Sequence, residues 1–66
     1  MVVKKTMKPH LTIELQGFED LSMMDIILSE FLQVMDTKQV FYSEEHREYC
    51  QKSVELAKKI SHEMHS

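Results

Sequence analysis

Glycine, proline and cysteine each occur once in these 66 residues, and tryptophan does not occur. A single glycine, Gly17, excludes a glycine-rich loop that cradles phosphates. The scarcity of glycine and proline also favours a few long elements over many short strands joined by tight turns. With Cys50 as the only cysteine, no disulfide can form within one chain. The lone thiol and the lack of an apolar leader at the N-terminus point to a reducing cytoplasm. No apolar run approaches the ~18 residues of a membrane span. Positive charge is missing from the centre: residues 11–36 hold Glu14, Glu19, Asp20, Asp25, Glu30 and Asp36 and no lysine or arginine. An acidic middle of this kind repels nucleic acid, whereas Lys4, Lys5 and Lys8 make the first ten residues basic.

The size sets a physical demand. Ordering a chain costs about 1.5 kcal/mol per residue, and a core this small barely offsets it. Small domains add disulfides, a metal or a further chain. Here the first is excluded.

Leu21 to Met35, LSMMDIILSEFLQVM, is the stretch around which the rest is organised. On a helix, Met24, Ile27, Leu28, Phe31 and Met35 share one face. Met23, Ile26 and Val34 form a second row beside it, and Leu32 widens the cover. A helix apolar over most of its circumference is buried on more than one side. Ser22, with Asp25 three residues later, offers a partial capping box, while Phe18, Glu19 and Asp20 allow an earlier first turn.

Before this helix, His10 to Gln16 alternates: Leu11, Ile13 and Leu15 on one side, Thr12, Glu14 and Gln16 on the other. Period two predicts a half-buried strand ended by Gly17. One strand cannot stand alone, because its backbone groups need partners. The same strand of a second copy is one source, favoured narrowly; Gln39 to Tyr42, QVFY, is the other. After the connector, Ser43 caps a second helix over Glu44–Glu63, with Glu44 and Glu45 at its positive end. Cys50, Val54, Ala57, Ile60 and Met64 form its stripe, flanked by Tyr49 and Leu56. Glu48–Lys52 and Glu55–Lys59 are favourable i,i+4 pairs.

Chemical constellations are thin. His46 and Cys50, one helical turn apart, and His62 and His65 near the end each supply two of the four ligands a closed zinc site needs. They read as packing and terminal residues, and no metal or cofactor is expected. No serine stands in a nucleophile elbow, and the Cys50 sulfur lies on the face a helix buries. An enzyme is not expected.

The chain therefore reads as α+β and mostly helical: a basic arm over 1–9, then one small domain over 10–66. Within it, one N-terminal strand precedes two helices, with an optional short strand at 39–42, and homodimerisation completes the fold. The expected function is that of a small cytoplasmic regulator or adaptor that engages itself and another protein. Leu11, Ile13, Leu15, Met23, Ile26 and Phe31 are the expected assembly face, and Phe41 and Tyr42 the outer contact. The alternative is a DNA-binding repressor. A basic arm, one strand and two helices is the element order of ribbon-helix-helix dimers, which place paired strands in the major groove. Lys4, Lys5, Lys8 and Thr12 would then meet DNA.

Overall fold

The computed structural model describes residues 1–7 and 9–66, with the backbone alone at 6 and 7. Two antiparallel strands, β1 (Val2–Met7) and β2 (His10–Glu14), precede two helices, α1 (Gly17–Thr37) and α2 (Glu44–Met64). The class is α+β and mostly helical, and none of the described helices is long and apolar enough to cross a membrane.

β2 forms where the alternation predicts, ending at Glu14, and within the chain it pairs with β1 and not with residues 39–42. Val2, Val3 and Lys4 lie opposite Glu14, Ile13 and Thr12, and the register slips between Lys4 and Met7. The segment read as an arm is thus a strand, whereas residues 39–42 form none. Val40 and Tyr42 there are 80% and 92% exposed. Loop length explains the choice. A reversal at Pro9 brings 2–7 alongside 10–14 with almost no chain to close, while pairing with 39–42 must close a loop containing a whole helix. The valines at 2 and 3 supply the strand preference. Residues directly opposite share a face, so Val3 lies with Ile13 and Leu11, and Lys4 with Thr12 and Glu14.

α1 begins at Gly17, not at Ser22. Gly17 has φ +76°, a left-handed conformation that glycine adopts freely and side-chain-bearing residues resist. The side chain of Gln16 makes no cap. Instead Asp20 reaches back and accepts the Gln16 backbone N–H at 3.0 Å. The same carboxylate pairs with the Met1 ammonium at 2.6 Å, tying the start of β1 to the first turn of α1. Both contacts stabilise the ionised form, the ammonium more strongly, so the Asp20 pKa lies below its ordinary 3.8. α2 follows the sequence reading closely, since Ser43 Oγ accepts the His46 N–H at 3.1 Å as an N-cap should.

The helices run antiparallel through a six-residue connector, 38–43. Leu21, Met24, Leu28, Leu32 and Met35 turn toward α2, and Cys50, Val54, Ala57, Ser61 and Met64 turn toward α1. These rows step by three and four residues, as packed helices require. Ser61 takes the inward place expected of Ile60, because the 50–54–57 spacing continues to 61 and 64. Burial is nevertheless thin: Leu28 at 8% and Ala57 at 4% are the buried apolar residues among those described.

Asp20 makes the acid stability of this arrangement testable. Its lowered pKa contributes stability in full above 3.8, and that contribution is lost as pH falls through the folded value. Asp20→Asn is expected to flatten the acid limb of a stability-versus-pH curve, followed by circular dichroism. An unchanged limb would show that the Met1–Asp20 pair does not hold in solution.

Candidate interaction surface

Viewed along their axes, the two helices form a layer with unlike sides. One side carries Asp25, Ser29, Gln33 and Asp36 from α1 and Arg47, Gln51, Lys58, His62 and His65 from α2, with exposed Phe18 at its edge beside Asp25 and His65. Here His65 Nε2 meets Asp25 Oδ1 at 3.0 Å, and Gln33, Asp36 and Lys58 line a common depression. The opposite side is apolar. Ile27, Phe31 and Val34 project from α1, and Tyr49, Leu56 and Ile60 project from α2. Both rows turn the same way because the helices are antiparallel, which mirrors the sense of rotation of one against the other. Ile27 is 56% exposed and Leu56 59%. A shallow depression of about 530 Å³ bordered by Leu21, Leu56, Ile60 and Met64 belongs to this side.

A helix layer that is apolar on one side requires a second layer over it. Within the chain the only candidate is the β-hairpin, yet it does not pack on the helices among the described residues. Leu11 and Ile13 stand exposed beside Val3 on its own apolar face. Leu15, just past β2, is half-buried. Met23 and Ile26 lie on the back of α1, away from α2, and are exposed, while Phe31 is half-buried at the margin between the two helices. The expected assembly residues therefore do not form one patch. They divide between the hairpin face and two sides of α1. The α2 share of this side is Tyr49, Leu56 and Ile60, at i, i+7 and i+11; the sequence reading sets Ile60 in the inward stripe and Tyr49 and Leu56 beside it, and counts none of them in the assembly face.

The surface area measures the lack of cover. A folded chain of 7.8 kDa exposes about 4,400 Å² when compact. This one exposes 5891 Å², an excess of roughly 1,500 Å². Its radius of gyration is 13.7 Å, against about 11 Å for a compact chain of this length.

At the connector, Phe41 and Tyr42 have different surroundings. Phe41 is half-buried and shares a small hollow with Met35, Cys50 and Val54. Tyr42 lies open, its ring 4.8 Å from that of His46. The Tyr42 backbone N–H donates to His46 Nδ1 at 3.3 Å, which leaves the imidazole proton on Nε2, 3.6 Å from Cys50 Sγ. His46 and Cys50 do meet, as their spacing predicts, but no third metal-ligating side chain joins them among the described residues. His46 ties the connector to α2 through the Tyr42 N–H, while its contact with Cys50 stays within the helix. Of the residues proposed for DNA, Lys4 lies directly opposite Thr12, Lys5 follows on β1, and Lys8 lies outside the described residues.

Comparison with protein-family models, with curated proteins and with solved structures finds no match for this chain.

Replacing His46 with alanine removes the acceptor for the Tyr42 N–H while leaving the Ser43 cap, which uses the backbone of residue 46. Faster amide hydrogen exchange at Tyr42, with α2 still helical, is the expected result. Equal exchange in both proteins would mean the imidazole does not hold the connector.

Proposed function

We propose that this chain is a small, non-catalytic regulator or adaptor that acts through protein–protein contact and assembles as a homodimer. The observation that carries the reading is the uncovered apolar side of the helix pair. The area supports it: the excess of roughly 1,500 Å², shared between this side and the unpacked hairpin, leaves room for the roughly 800 Å² that each partner contributes to a typical interface. Monomeric soluble proteins rarely leave contiguous apolar patches of several hundred Å² in water. The single thiol of Cys50 suits a reducing compartment, and we place the protein in the cytoplasm.

Light scattering over a wide concentration range, with circular dichroism alongside, tests the assembly. The wild type is expected to be a folded dimer. Ile27→Glu, which sets a charge in the middle of the apolar side, is expected to remain helical and become monomeric. A wild type that stays folded and monomeric at every concentration would remove the homodimer from the reading.

One observation supports a second reading, DNA binding as a repressor. The hairpin is a two-stranded ribbon, an element the major groove admits, and its polar face sets Lys4 beside Thr12. Glu14 on the same face opposes phosphate. This reading expects retardation of duplex DNA at low salt, weakened by Lys4→Glu. A gel with no retarded band at high protein concentration would dispose of it.

A further inference from the structure

We propose that the second copy seats its own helix pair on this one, apolar side to apolar side, with α1 of each copy lying over α2 of the other. The inference rests on the homodimer reading and names the surface and its orientation. A closed pair of identical chains uses the same patch twice, related by a two-fold axis. Two stackings of the helix layer satisfy that symmetry. An axis across the helices lays α1 over α1, and an axis parallel to them lays α1 over α2.

Charge along the rim decides between the two. Beyond the apolar row, α1 carries Glu19 and Glu30, and the helix contains no lysine or arginine at all. The corresponding rim of α2 carries Lys52 and Lys59 in its middle, with Glu45 and Glu63 toward its two ends. Laying α1 over α1 gathers acids on both sides of the seam, where like charges oppose association. Laying α1 over α2 brings Glu30 of one copy toward lysines of the other.

The heights agree as well. Asp25 meets His65, and Leu21 and Met64 border the same depressions, so Ile27 of α1 and Ile60 of α2 sit at about one level. Rotation about an axis parallel to the helices preserves levels. Ile27 therefore comes to lie over Ile60 of the second copy, and Glu30 within a turn of Lys59 of that copy, at about 1.5 Å of rise per residue. The symmetry makes each of these contacts twice. The polar side, with Asp25–His65 and the Asp36 and Lys58 side chains, remains outside and in water. Helix pairs stacked in this manner form a four-helix assembly with flanking charges that set orientation, as in other bundles.

The experiment is a charge swap read by dimer dissociation, with helicity checked for each variant. Rim charges on exposed helix surfaces do not carry the fold, so Glu30→Lys and Lys59→Glu are expected to keep wild-type helicity. Each alone is expected to raise the dimer Kd about tenfold, because every reversal acts at two symmetric seams. Glu30→Lys combined with Lys59→Glu is expected to restore most of the wild-type Kd. In a Cys50→Ser background, Ile27→Cys protein mixed with Ile60→Cys protein is expected to form a mixed disulfide, and neither alone a dimeric one. A dimer in which the combined variant is no tighter than the single ones, or in which the mixture fails to cross-link, overturns this stacking and leaves the homodimer standing. A folded monomer at all concentrations overturns both.

Discussion

The contact between α1 and α2 is what holds the two helices as one layer, and it buries very little. Leu28 and Ala57 lie at its centre, and the flanking residues of both rows keep part of their surface in water. The net stability of a domain is a small difference between large terms, and an apolar area left wet is subtracted from the favourable one. In a chain of this size, so shallow a seam leaves that difference small. The chain's surface excess and its large radius of gyration express that one shortage twice.

Local order, by contrast, is well provided for. Ser43 caps α2 through its hydroxyl, and Asp20 serves the start of α1 by reaching back to Gln16 and by receiving the Met1 ammonium. Gly17 supplies the one positive φ at the junction of hairpin and helix. His46 holds the connector through its ring nitrogen. The elements are thus individually well terminated, while the layers they form are only partly covered. That combination suits a module whose burial is finished by association, which is the physical content of the proposed function.

The two-sidedness of the helix pair links this shortage to recognition. Were the exposed apolar residues scattered, they would be an ordinary feature of a protein surface. Part of them, Ile27 and Val34 of α1 with Tyr49, Leu56 and Ile60 of α2, instead share one side of the helix pair, while the other side is mostly charges and amides. In the proposed stacking, the acids of α1 set against Lys52 and Lys59 of α2 would supply an orientation in addition to an attraction, since electrostatic complementarity chiefly selects among ways of docking.

Much of this was legible in the linear chain. The period-two run at 10–16, of which 10–14 forms the strand, and the spacing of apolar residues in both helices are local properties, and backbone preference acts locally. Ser43 as a cap followed from the same kind of information. The over-wide apolar arc of α1 also announced that one helix alone would not cover it. Three matters depended on the tertiary structure. The partner of β2 was settled by a short reversal at Pro9, a comparison of loop costs between distant alternatives. The start of α1 at Gly17 is accompanied by contacts of Asp20 with the Met1 ammonium and the Gln16 N–H, which periodicity does not show. The apolar side emerged because antiparallel packing turns Ile27 and Val34 of one helix and Leu56 and Ile60 of the other in a common direction. Periodicity describes each helix about its own axis, and only their packing fixes how those axes are turned toward one another.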